Sequence, residues 1–214
     1  MPTHIALIGD SIFDNAAYTY GLPDVIGHLR RLVPPGTTAT LLAEDGSTTA
    51  DVLEKQVPRL PSDVTHAAVS MGGNDGILHA DLLDIPVAST QEALVAFAER
   101  IAIFEASYRK ALHEIVQRVP HVAVCTIYTP NLQGPEAVAV RVGLMLLNDV
   151  ILRTAIEWRL AAIDLRLIVV DPTDFANPLE PSSQGAAKIA TSIVSLWGLD
   201  TEDDAGDMPA AGVT

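Results

Sequence analysis

The segment HIALIGDS, residues 4–11, decides the fold class: five mainly apolar residues are followed at once by glycine, aspartate and serine. A short apolar run without polar alternation is typical of a parallel strand that is covered on both faces. Similar runs recur along the chain, separated by longer segments with helical spacing. We therefore predict strands at His4–Ile8, Thr38–Ala43, His66–Met71, Val122–Tyr128 and Leu167–Val170.

The segments between these strands have the apolar spacing of helices that pack on a sheet. The longest begins with Ser89, and Glu92 follows three residues later, which is the capping-box pattern of a helix start. Alternating strands and helices predict a three-layer α/β/α sandwich around an open parallel sheet of about five strands. The predicted helices are Pro23–Val33, Thr48–Val57, Thr90–Val119, Glu136–Ile163 and Ser182–Leu196.

Composition and charge limit the classes of function. A chain of 214 residues that is 49% hydrophobic suits one globular domain, which we expect over residues 1–198. The formal net charge of −14 disfavours binding to nucleic acid or to an anionic membrane surface. The single cysteine, Cys125, and the lack of a secretory signal pattern lead us to expect a cytoplasmic protein. We expect the acidic segment 199–214 to be a flexible tail.

Polar turns that contain glycine follow each of the first three predicted strands. They read Gly9-Asp10-Ser11, then EDGSTT at residues 44–49, then GGNDG at residues 72–76. In open α/β sheets, ligands bind beyond the carboxyl ends of the strands. One such turn is common, but three in succession at the same edge of the sheet indicate a functional site.

These three turns resemble the nucleophile, glycine and asparagine blocks of the SGNH/GDSL hydrolase superfamily. The resemblance extends from the first strand to the last helix and implies the flavodoxin-like fold of that superfamily. It also implies a serine hydrolase that acts on a small acyl ester, with no metal and no cofactor. Ser11 would be the nucleophile, and the oxyanion hole would consist of the Ser11 and Gly46 backbone N–H groups and the Asn74 amide. Each donor of this kind typically contributes about 100-fold or more in rate.

The fourth block departs from the family pattern, which is Asp-x-x-His-Pro. The flanking residues align Asn177 with the aspartate and Glu180 with the histidine, directly before Pro181. We predict that Glu180 is the general base. A carboxylate has no tautomer to orient, and Asn177 would avoid like-charge repulsion and could donate an amide hydrogen bond. Because a free glutamate has a pKa of about 4.3, burial in the pocket would be needed to raise its basicity.

Two alternatives remain open at this point. Glu180 could instead stabilise the start of the last helix through its dipole. The protein would then be a non-hydrolytic relative that binds an acylated or glycosylated small molecule or performs other acid–base chemistry. His79, close after the asparagine block, is the best alternative base. Asp171 and Asp174 could also contribute a carboxylate, since both follow the predicted fifth strand.

The segment after the nucleophile, residues 13–18, is polar and aromatic where a core helix would be apolar. We expect Asp14, Asn15 and Tyr18 to line the substrate pocket together with His79, although a surface turn would explain the same pattern.

Overall fold

Five parallel strands form the centre of the molecule in the computed structural model, which describes residues 2–199. Their spatial order is β2-β1-β3-β4-β5. Nearly all of the predicted acidic tail lies outside the described residues. The strands are β1 His4–Gly9, β2 Thr38–Leu41, β3 His66–Ser70, β4 His121–Cys125 and β5 Ala161–Ile163.

In the described part of the chain, six helices surround the sheet, and the second continues directly into a π-helical turn, Val52–Gln56. Across residues 2–199, no helix is both long enough and apolar enough to cross a membrane. The helices are α1 Val25–Leu32, α2 Thr49–Asp51, α3 Gly73–Leu78, α4 Thr90–Val116, α5 Gly134–Trp158 and α6 Ser183–Leu196.

The two faces of the sheet are covered by different helices, because side chains alternate along each strand. Ile5 and Leu7 of β1 point into a cluster that includes residues of α1 and α6. Ala6 and Ile8 point into the opposite cluster, which includes residues of α4 and α5. All six residues of β1 are buried, which explains the near-continuous apolar run that predicted the strand. The predicted three-layer architecture and five-stranded parallel sheet are confirmed, and the strand order is that of flavodoxin-like folds.

The fifth strand was predicted at the wrong place. Helix α5 ends at Trp158, where Arg159 takes a left-handed conformation with φ of 57°, so Ala161–Ile163 can join the sheet beside β4. The predicted strand Leu167–Val170 is instead irregular after a 3-10 turn, and the side chains of Leu167 and Val170 are exposed. The sequence pattern did not reveal β5, because this strand is only three residues long and follows α5 without a strong break in composition. The longer apolar run at Leu167–Val170 was therefore predicted as the fifth strand.

The carboxyl end of β1 is held in place by unusually close contacts. Gly9 has φ of +142°, and a Cβ atom there would lie 1.7 Å from the carbonyl oxygen of Ser70 on β3, so no other residue fits. The fully buried Gln56 accepts a hydrogen bond from the Gly9 N–H (2.9 Å) and donates to the Gly9 carbonyl (2.7 Å). It also donates to Ser47 Oγ at 3.1 Å. Gln56 therefore joins the end of β1 to the loop that follows β2.

Replacing Gln56 with leucine should destabilise the protein by about 2–4 kcal/mol, because the buried Gly9 N–H would lose its acceptor and the Gly9 carbonyl, which also accepts from the Glu44 N–H, would lose one of its two donors. Urea unfolding measures this loss. Glu54→Leu, on the exposed side of the same turn, is the matched control and should change stability by less than about 0.5 kcal/mol. Equal stability of the two variants would contradict the role that we assign to Gln56.

Candidate active site

A cavity of about 360 Å³ opens at the carboxyl edge of the sheet. Its lining includes Ser11, which follows β1, and Asn74, on the helix that follows β3. Glu180 reaches the same cavity from the segment before α6. The cavity thus lies where the strand order reverses between β1 and β3, the usual ligand position in such sheets.

Ser11 and Glu180 are direct neighbours in this cavity. The Ser11 side chain is nearly buried and lies close enough to the Glu180 carboxyl to influence its pKa. Burial raises the pKa of Glu180 above its usual range, the Ser11 hydroxyl lowers it in part, and the negative charge of Asp45 raises it again. Oε2 of Glu180 is buried and has no hydrogen-bond partner among the described residues. A carboxylate in this environment is a stronger base than one in water.

A network of hydrogen bonds fixes the turn that carries Glu180, residues 176–181. The Asn177 Oδ1 atom accepts from the backbone N–H groups of Leu179 (2.8 Å) and Glu180 (2.9 Å). The buried Tyr128 hydroxyl donates to the Leu179 carbonyl at 2.5 Å. The backbone of Ala176 donates to the Glu180 carbonyl at 2.9 Å. Asn177 therefore positions Glu180 through the backbone, and the amide hydrogen bond to the carboxylate that the sequence suggested is not among the contacts of the described residues.

Asn74, the predicted oxyanion donor, lines the cavity together with Ser11. Its Nδ2 atom donates one hydrogen bond to the Ser47 carbonyl at 3.1 Å, which leaves its second N–H for a ligand. Gly46 has φ of +79° and forms the turn just before Ser47. In the part of the chain that the structure describes, the backbone N–H groups of Ser11 and Gly46 have no acceptor. Gly46 is exposed and does not belong to the cavity lining, so it lies at the margin of the site.

The segment after Ser11 supports the site and does not line it, contrary to our expectation for Asp14, Asn15 and Tyr18. Asp14 Oδ2 accepts from the Asp45 N–H (2.9 Å), and the Tyr18 hydroxyl donates to Asp45 Oδ2 (2.7 Å). Both side chains thereby hold the loop that contains Gly46. That bond to Asp45 is the main cause that raises the Tyr18 pKa to about 12.

Asn15 links the nucleophile segment to the turn that carries Glu180. It is fully buried, its Nδ2 atom donates to the Pro181 carbonyl at 3.1 Å, and its Oδ1 atom accepts from the Val25 N–H at 3.0 Å. Because its side chain is fully buried and bonds these two internal partners, Asn15 acts as a structural link.

The alternative bases fall into two groups. His79 does line the cavity, and its Nδ1 atom is buried without a partner among the described residues. Asp171 and Asp174 do not line it: both bind Lys188, at 2.7 and 2.8 Å, and Asp174 also accepts from two backbone N–H groups. They stabilise the segment that leads to the turn with Glu180.

Asp10 is a site residue whose role the sequence did not reveal. It lines the cavity, is only 2% exposed, and accepts a hydrogen bond from the Ile12 N–H at 3.1 Å. Burial raises its pKa to about 7, the Ile12 N–H lowers it, and the charges of Glu180 and Asp75 raise it further. Its place in the Gly9-Asp10-Ser11 turn was visible, but its complete burial follows only from the packing around it.

Comparison with known proteins supports this architecture. No family model and no curated sequence matches the chain. Solved structures do match: a phospholipase A1 from Streptomyces albidoflavus is 19% identical, with a TM-score of 0.63 over 91% of this chain and 99% of that one. A lipolytic G-D-S-L family protein from Veillonella parvula is 15% identical, with a TM-score of 0.65 over 92% and 98%.

An acetylxylan esterase from Geobacillus stearothermophilus is 19% identical, with a TM-score of 0.63 over 92% of this chain and 95% of that one. Another solved structure of that esterase is a catalytic mutant in which serine is replaced by alanine. The chain therefore has the SGNH/GDSL hydrolase fold, and these structural neighbours are carboxylic ester hydrolases.

The buried carboxyl of Asp10 should make stability depend on pH in a defined direction. Since its folded pKa lies above the unfolded value, this group favours folding below about pH 4, and that contribution is lost as pH rises to about 7. The loss is at most about 4 kcal/mol. Urea unfolding from pH 4.5 to 8 should show a clearly smaller decline for Asp10→Asn than for the native protein. The exposed Asp84→Asn is the control; a decline unaffected by Asp10→Asn would show that Asp10 is not buried as described.

Proposed function

We propose that the protein is a serine hydrolase that cleaves a small-molecule acyl ester, with Ser11 as nucleophile and Glu180 as general base. The observation that carries this proposal is the contact between the Ser11 hydroxyl and a half-buried carboxyl whose pKa is raised. The serine hydrolase fold and the rigid turn around Glu180 support it.

The reaction follows a two-step course on these residues. Glu180 takes the hydroxyl proton as Ser11 Oγ attacks the ester carbon, and the oxyanion receives hydrogen bonds from Asn74 and the Ser11 N–H. Collapse breaks the ester bond, and the leaving alcohol takes the proton from Glu180. A water molecule then attacks the acyl-enzyme, giving its proton to Glu180, and Ser11 regains a proton as the acid departs.

Glutamate in place of histidine lowers the basicity of the general base, and the surroundings of Glu180 restore part of that basicity. An ordinary glutamate is about two pH units less basic than histidine. Burial and the negative charge of Asp45 raise the pKa of Glu180 and narrow that difference. Asn177 stands where the family pattern Asp-x-x-His has its aspartate. A neutral side chain therefore lies three residues before Glu180, and no further negative charge is added there.

A fluorophosphonate probe should label Ser11, since Glu180 would activate the Ser11 hydroxyl as a nucleophile. Ser11→Ala should abolish labelling, and Glu180→Gln should slow it by about 100-fold or more, because the amide cannot accept the proton. Intact-mass spectrometry and peptide mapping measure both. The absence of labelling from pH 5 to 9 would favour a binding protein that has lost hydrolysis.

The pH dependence of kcat/KM should identify the base. Activity should rise with pH through the ionisation of Glu180, and burial of this carboxyl should place the ascending limb at a higher pH than a free glutamate would give. His79→Ala tests the alternative base and should leave the limb at the same pH. Loss of the ascending limb in His79→Ala would assign the role to His79.

A further inference from the structure

The cavity is much larger than the catalytic groups require. Beyond them, one face of α5 lines the cavity at helical spacing, with the charged Glu136 near the helix start and apolar residues after it: Ala139, Val140, Gly143, Leu144 and Leu147. The stripe continues into the core through Val150 and Ile151, so the same helix face serves first as cavity wall and then as core.

The opposite wall comes from α3, from the 3-10 turn that follows it, and from α4. These elements contribute Ile77, Leu83, Phe97 and Ile101, all apolar. The charged Arg100, which also lies in the lining, is paired with Asp81 at 3.1 Å. The walls that extend from the catalytic groups therefore favour a hydrocarbon ligand.

We propose that this channel, lined by α3, α4 and α5, binds the alkyl chain of the substrate's acyl group, so that the preferred substrates are esters of straight-chain fatty acids of eight or so carbons. This inference rests on the proposed hydrolase function and adds to it the chemical class of the acyl part.

The volume of the channel argues against acetyl esters as the best substrates. One chain carbon occupies about the space of a water molecule, whose share of the liquid is about 30 Å³. An acetyl methyl group would therefore leave most of the 360 Å³ to water in contact with apolar walls. Each additional methylene that replaces this water should improve binding roughly fourfold.

The position of Glu180 assigns the channel to the acyl group and not to the alcohol. The leaving alcohol must lie beside Glu180 to receive its proton. Most of the apolar lining belongs to α3, α4 and α5, which are separate from the turn that carries Glu180. The acyl group stays on Ser11 until the second step, so a channel continuous with Ser11 would hold its chain in both steps.

A series of p-nitrophenyl esters tests the proposal with the full-length protein. From acetyl to octanoyl, six added methylenes at roughly fourfold each should raise kcat/KM by on the order of 1,000-fold. A constant or falling kcat/KM along this series would overturn the proposal while leaving ester hydrolysis intact. A second series, of acetyl esters with lengthening alcohols, should show a much weaker dependence; a stronger one would assign the channel to the alcohol.

Two variants of α5 test where the alkyl chain of the acyl group binds. A side chain at Gly143 would enter open space in the lining, so Gly143→Leu should lower the ratio of octanoyl to acetyl kcat/KM at least tenfold. The ratio does not depend on the fraction of active protein. Val138→Leu, on the exposed side of the same helix, should keep the native ratio. Equal ratios in both variants would place the chain outside this channel.

Ligand binding to a variant that lacks the proposed nucleophile tests the channel independently of the proposed hydrolase function. In Ser11→Ala, calorimetry should show octanamide binding on the order of 100-fold more tightly than butanamide. If this difference is present but no ester is hydrolysed, the proposed hydrolase function fails and the channel is supported. If esters are hydrolysed but the two amides bind equally, the channel assignment fails alone.

Discussion

The close pairing of β1 with β3 at their carboxyl ends is the constraint on which the site depends. Gly9 and Ser70 approach so closely that a Cβ at Gly9 has no room, and Gln56 bonds both the N–H and the carbonyl of Gly9. Ser11 and Asn74 leave the sheet from this junction. Because Gln56 also bonds Ser47, and Asn74 bonds the Ser47 carbonyl, hydrogen bonds join the three loops that follow β1, β2 and β3.

The segment that carries Glu180 is attached to this unit from the other side. Asn15 joins it to the nucleophile segment, Tyr128 joins it to the end of β4, and Asn177 fixes its backbone. A carboxylate held in this manner needs no partner to select a tautomer, unlike an imidazole. It needs a raised pKa, which burial and the negative charge of Asp45 produce.

The long helices α4 and α5 give the site its depth. Their carboxyl-terminal halves pack on the sheet, whereas their amino-terminal halves line the cavity with the same apolar stripes. One periodic pattern therefore produces both core and binding surface, and the periodicity alone does not show where one ends and the other begins.

The sequence by itself determined the layered architecture, the first four strands, and the shared edge at which Ser11 and Asn74 lie. These features follow from local apolar periodicity and from glycine-bearing turns at strand ends, which are properties of neighbouring residues. The three-residue β5 was missed because so short a strand exists only through pairing with β4. Only the tertiary structure decided that Glu180 contacts Ser11, that Asn15 is a buried link, and that Asp10 is desolvated. Each of these depends on which distant segments pack together, and no local pattern records that.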